Sequence, residues 1–155
     1  MKIFNILILI SIIPLVGVML LILIPGRYNS YCFNAALFIS SLTFILSLIM
    51  WLIFDSGHNS FQFLCTIDWL PAFNFYYTVG VDGISLFFLI LTTFLIMVCV
   101  LISWGSINYR LKEYLINFLL LEFLLIQVFS VLDLLLFYVF FESILMPMFL
   151  IIGIW

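Results

Sequence analysis

Charge is what this chain has least of: four lysines and arginines face seven aspartates and glutamates, together 7% of 155 residues. A water-soluble domain is roughly a quarter charged, so there is too little charge here to cover a water-facing surface. The four bases are scattered, which excludes the basic stripe that binds nucleic acid and the polybasic cluster that binds anionic lipid. Histidine is limited to His58, and Cys32, Cys65 and Cys99 show no paired spacing. Zinc and iron–sulfur sites need clustered thiolates or imidazoles. Neither metal ligation nor redox chemistry is therefore expected within this chain. An Arg/Ser-rich transit peptide is also missing. Lys2 and the apolar run behind it superficially resemble a secretory signal, but the run is too long for a signal core and lacks a small-x-small cleavage site. It reads as an uncleaved first span.

What is there is apolar. Hydrophobic residues make up 68% of the chain and the mean hydropathy is +1.48. A helix needs about 20 apolar residues to cross a hydrocarbon core of roughly 30 Å. The sequence supplies such runs at 4–24, 33–54 and 84–104, the first holding Pro14 and Gly17, which predict a bend. The stretch 114–155 is twice the length of one span. Backbone groups in lipid must be satisfied within the segment, so it is read as a helical hairpin, turned near Ser130 and Asp133 into spans 114–131 and 134–155. The expectation is an all-α integral membrane protein of about five transmembrane helices, one membrane domain over 1–155.

Segment 55–82 differs. It holds Asp55, Asp68, Asp82 and His58 and an aromatic stretch at 69–77. Amphipathic aromatics favour the membrane–water boundary, so a loop on the bilayer surface, in part extended, is expected. With five spans, Lys2 and this loop share one side of the membrane, and Arg27, Arg110 and Lys112 share the other. The excess of bases places the Arg110 side in the cytoplasm or matrix.

Three acids fall within or beside the long apolar runs. An acid at a helix centre costs about 2.5–3.5 kcal/mol on insertion scales and persists when paired, neutralised or hydrated. Glu142 lies nine residues after Asp133, about 13 Å along a helix at 1.5 Å per residue, and is expected to be buried near mid-membrane. Pro147, five residues on, has no N–H for the Ser143 carbonyl and is expected to open that turn. A carboxyl beside a broken turn suits a proton relay; the plainer alternative is a protonated acid bonded to a neighbouring helix. Glu122 would lie at a similar depth across the hairpin, able to share a proton with Glu142 if the two face each other, or else to pair elsewhere. Asp133 and Asp82 read as helix caps. Thr92 and Thr93 are expected to bond back to their own helix, and His58 to be solvated.

Three segments carry a family resemblance. Gly80-Val81-Asp82-Gly83-Ile84-Ser85-Leu86-Phe87-Phe88 leads into Leu91-Thr92-Thr93-Phe94. Leu132-Asp133-Leu134 leads into Phe140-Phe141-Glu142-Ser143-Ile144-Leu145-Met146-Pro147. Ile151-Ile152-Gly153-Ile154-Trp155 closes the chain. Together these resemble the N-terminal third of the subunit 4 family of respiratory complex I (NADH–ubiquinone oxidoreductase), mitochondrially encoded type. The Phe-Phe-Glu-x-x-x-x-Pro core is the most specific element, whereas Asp-Gly-Ile-Ser is shared by antiporter-like membrane subunits generally. The likeness is loose over the first two spans.

The resemblance implies an antiporter-like, proton-translocating subunit of the membrane arm, built from inverted five-helix repeats. It implies that Glu142 pairs with a lysine on a later helix within a proton relay. It further implies a place in the mitochondrial inner membrane with the N-terminus toward the intermembrane space. Flavin, iron–sulfur clusters and quinone are then expected in other subunits, with none of these cofactors in this chain. Expected partners are the other membrane-arm subunits, membrane lipids, and a separate chain carrying the helices that would follow Trp155, since the partner lysine and second repeat are not in this sequence. Nucleic acid is not expected. Two alternatives stand beside this reading: a structural scaffold fragment of the same complex without a proton path of its own, and a subunit of a cation/proton antiporter.

Overall fold

The computed structural model describes residues 5–26, 28–73 and 75–155. Lys2, Phe4, Arg27 and Asn74, which entered the expectations for the first span, the charge bias and the aromatic stretch, lie outside the described residues. Five helices are long and apolar enough to cross a membrane: α1 (Ile6–Leu23), α2 (Asn29–Ile53), α3 (Gly83–Ile102), α4 (Leu111–Ser130) and α5 (Leu134–Ile154). The chain is a multi-pass membrane protein. Each helix matches an expected span, with ends that move by a few residues. Asn29, Ser30 and Tyr31 open α2 earlier than the apolar run alone indicates, and α4 begins at Leu111.

Segment 55–82 is more ordered than the expected loop. It contains an antiparallel hairpin of β1 (Gln62–Leu70) and β2 (Phe75–Val81), joined through a 3-10 turn at Pro71–Phe73. β-branched and aromatic residues, Tyr76, Tyr77, Thr78 and Val79 among them, suit a pleated, half-buried surface. The hairpin is tied to the bundle. Asn5 Nδ2 donates to the Phe63 carbonyl at 2.7 Å, and the Leu132 N–H donates to the Thr78 carbonyl at 2.9 Å.

α4 is the central helix: it packs on α1, α2, α3 and α5, whereas α5 packs chiefly on α4. The helices alternate in direction. At one end, Lys112 Nζ donates to the carbonyls of Ile22 and Ile24, and Trp155 Nε1 donates to the Tyr109 carbonyl. At the other end sits the hairpin. Arg110 and Lys112 thus lie opposite the segment that holds Asp55, Asp68 and Asp82, as the alternation of five spans requires. Two apolar clusters fill the interior. One, toward the Lys112 end, joins Val18, Ala36, Ile96 and Leu119; the other, beneath the hairpin, joins Ile10, Met50, Leu89 and Ile126.

Candidate functional site

On each of α1 to α4 the residues between the two apolar clusters include polar groups. α2 contributes Ser40, Thr43 and Ser47, α3 contributes Thr93, and α4 contributes Glu122; each of these is 0% exposed. Ser11 of α1 is also buried. The spacing of the α2 trio, three and then four residues, puts all three on one helical face. That face meets α4 through Thr43 and α3 through Ser47.

Thr43 Oγ1 lies 2.6 Å from Glu122 Oε1 and 2.8 Å from the Ser40 carbonyl. Ser47 Oγ and Thr93 Oγ1 are 3.0 Å apart. Most of these hydroxyls also bond back to their own helix: Ser40 to Leu37, Ser47 to Phe44, and Thr93 to Leu89 and Ile90. Thr92 does the same to Phe88, so the expectation for both threonines holds. Glu122 Oε2 has no hydrogen-bond partner among the described residues.

Nearer the hairpin, Tyr77 donates its hydroxyl to Gln127 Oε1. Burial pushes the Tyr77 hydroxyl above its ordinary range, against the opposing pull of the Gln127 bond, so it serves as a donor at neutral pH. Tyr77 and Gln127 line one side of a cavity of about 290 Å³ with Ser11 and Phe140.

Glu142 is placed otherwise than expected. Within the five-helix body it is exposed, and the buried intramembrane acid is Glu122. On α5 the buried residues are Leu136, Ile144 and Pro147, a stripe at helical spacing that packs toward α4. Glu142 precedes Ile144 by two residues, roughly 200° around the axis, on the face turned away from α4. Its neighbours on that face, Tyr138, Leu145 and Phe149, are exposed as well. The two glutamates consequently do not face each other: Glu122 points to α2 and Glu142 away from the bundle. Depth follows from chain position, but direction around the axis does not, and here it separates the pair.

Pro147 is buried, and α5 runs unbroken through it from Leu134 to Ile154, so the expected helix break does not occur. One missing N–H is tolerated where a neighbouring helix packs against the turn. The Ser143 hydroxyl bonds the Val139 carbonyl at 2.7 Å. The same continuity holds at Pro14 in α1.

The two caps are where the sequence places them. Asp82 accepts the Ser85 N–H at 2.7 Å, and that bond holds its carboxyl below the usual carboxylate range. Asp133 accepts the Leu135 N–H at 3.1 Å. His58 is exposed and lies 3.4 Å from Asp55. Sequence reasoning did not find Ser40, Thr43, Ser47, Tyr77 and Gln127, although polar residues at helical spacing inside the apolar run of α2 were a visible signal.

Three comparisons bear on this arrangement. No protein-family model matches the chain. It is 62% identical over 155 residues, 100% of its length, to NADH-ubiquinone oxidoreductase chain 4 of Chondrus crispus, and 51% identical over 142 residues, 92% of its length, to the protein of that name from Arabidopsis thaliana. It spans 32% and 29% of those relatives. Among solved structures, it resembles a chain of respiratory complex I from Thermus thermophilus with bound NADH. The TM-score is 0.75 at 29% identity, covering 93% of this chain and 28% of that one.

Proposed function

We propose that this chain, a homologue along its whole length of NADH-ubiquinone oxidoreductase chain 4, works as part of the membrane arm of a respiratory NADH–quinone oxidoreductase and takes part in its proton translocation. In this reading Glu142 is a relay carboxylate. It is offered by α5 to a cationic group on a helix beyond these five, within the rest of the length that the relatives possess, whichever polypeptide carries it. Flavin, iron–sulfur clusters and quinone belong to other subunits of the assembly. The membrane is the mitochondrial inner membrane, with the hairpin and N-terminus toward the intermembrane space and the Arg110–Lys112 end toward the matrix.

The observation that carries this reading is the position of Glu142. It is the ninth residue of the 21-residue α5, about 12 Å from the helix start at 1.5 Å per residue, on an exposed and otherwise apolar face. Facing acyl chains there, an acid would cost about 2.5–3.5 kcal/mol. A cation or internal water against that face removes the cost, and a carboxylate whose proton affinity follows a nearby cation is what a proton relay needs. Apart from Gly153, the remaining exposed residues of α5 are large and apolar or aromatic, suited to contact with a further helix as much as with lipid.

The test is Glu142→Gln in the assembled complex, with NADH oxidation and proton translocation measured together in sealed membranes. The amide keeps the shape and removes the ionisation. Proton translocation should fall at least severalfold at a normal level of assembled complex, and Glu142→Asp should restore part of it. Unchanged translocation in the glutamine variant would remove Glu142 from the relay.

A further inference from the structure

We propose that Glu122 is a second proton-binding site, separate from Glu142: a neutral carboxylic acid, sealed inside the α1–α4 body, that donates its proton to Thr43 Oγ1. The proposal stands on a count of hydrogens and does not depend on the role given to Glu142.

Thr43 has one hydroxyl hydrogen and two oxygens within bonding reach, the Ser40 carbonyl at 2.8 Å and Glu122 Oε1 at 2.6 Å. A carbonyl and a carboxylate both only accept. If Glu122 were ionised, Thr43 would have to share its one hydrogen between them, leaving a buried anion at 2.6 Å with less than one full hydrogen bond. With the proton on Glu122 Oε1, each contact holds one hydrogen: Glu122 donates to Thr43, and Thr43 donates to Ser40. The neighbouring hydroxyls cannot supply a substitute, because Ser40 bonds the Leu37 carbonyl and Ser47 and Thr93 bond their own helices and each other.

The second carboxyl oxygen gives an independent indication. Glu122 Oε2 is buried with no partner among the described residues, and Glu122 is 0% exposed. An unpaired neutral carbonyl oxygen in an apolar interior costs far less than an unpaired anionic one. No cation compensates among the described residues. Lys112 sits ten residues away, about 15 Å along α4 at 1.5 Å per residue, with its ammonium on the Ile22 and Ile24 carbonyls. Arg110 pairs with Glu113 at 3.4 Å, and His58 pairs with Asp55 at the surface. Among the described residues the one hydrogen-bond partner of Glu122 is Thr43, and Glu142, the acid on the adjoining α5, is exposed on the outer side of that helix. The arrangement binds a proton, and Oε2 is the atom through which a water or base would take part in its exchange.

Infrared spectroscopy of the assembled complex in native membranes, before and after hydrogen–deuterium exchange, tests this. The C=O stretch of a protonated carboxylic acid should be present in the wild type and missing in Glu122→Gln. The same band should shift in Thr43→Val, which removes the accepting hydroxyl, and stay near its place in Thr43→Ser. A loss of carboxylate bands in Glu122→Gln, with the protonated-carboxyl region unchanged, would overturn the proposal. If the glutamine variant does not assemble, Thr43→Val still decides: a shifted band supports the neutral acid, and an unmoved spectrum refutes it.

Discussion

At the residue scale, the acids of this chain differ in what their oxygens meet. Asp82 and Asp133 each take an N–H from the first turn of the helix they precede; Glu122 has one hydroxyl as its hydrogen-bond partner among the described residues; Glu142 is exposed on α5. The caps were readable from position alone, since an aspartate directly before an apolar run has few other uses. Replacing Asp82 by Ala should cost about 1 kcal/mol of stability, as for other lost N-caps. Faster amide exchange over the first turn of α3 would report the loss, and exchange at the wild-type rate would contradict it. The Asp82 carboxyl lies below its ordinary value in the folded chain because it accepts the Ser85 N–H. Its contribution is therefore present at pH above the unfolded value, about 3.9 for aspartate, and is lost as pH falls through the depressed folded value. Asp82→Asn, which keeps the accepting oxygen, should remove that acid-side loss in the same exchange experiment.

At the scale of elements, the five spans follow from hydropathy, but the faces they bury do not. Lipid is as apolar as the packed interior, so hydrophobicity does not tell the inner face of a transmembrane helix from the outer one, and only a polar stripe such as Ser40, Thr43 and Ser47 of α2 marks the buried side. That is why the place of Glu142 along α5 was legible and its direction around the axis was not. The hairpin was hidden for another reason. Its pairing shifts register between Gln62 and Cys65 and again between Asp68 and Leu70, which interrupts the alternation that marks a strand, while its tyrosines and phenylalanines read equally well as membrane-surface anchors. Close helix packing was also only partly visible. Gly17, read from the sequence only as a bend in α1, lies where α2 and α4 approach closely. A Cβ there would lie 2.8 and 2.9 Å from the Ile39 methyl carbons and 3.1 Å from Leu119. Gly17→Val should destabilise the packing of α1 by about 1–3 kcal/mol, the usual cost of overfilling a packed core, and Gly17→Ala should do less damage. The denaturation midpoint of the purified membrane arm is the readout, and a valine variant as stable as wild type would show that α1 packs elsewhere.

At the scale of the whole molecule, the bundle has two kinds of interior. The first is closed: α1 to α4 surround a polar layer, with Glu122 at its centre and apolar clusters above and below. The second is open: the outer face of α5, where Glu142 stands among exposed apolar side chains. The chain spans 32% of its Chondrus crispus homologue, and in the proposed reading the remaining length packs against this open face. The motif Phe-Phe-Glu-x-x-x-x-Pro singled out Glu142 in the sequence, and the fold shows which way it faces. The most direct test is a density map of the assembled complex at the resolution of side chains. The carboxylate of Glu142 should lie within ion-pairing distance of a lysine or arginine, or of ordered water, on protein that covers the outer face of α5. A Glu142 side chain surrounded by lipid tails, with neither cation nor water beside it, would contradict the account.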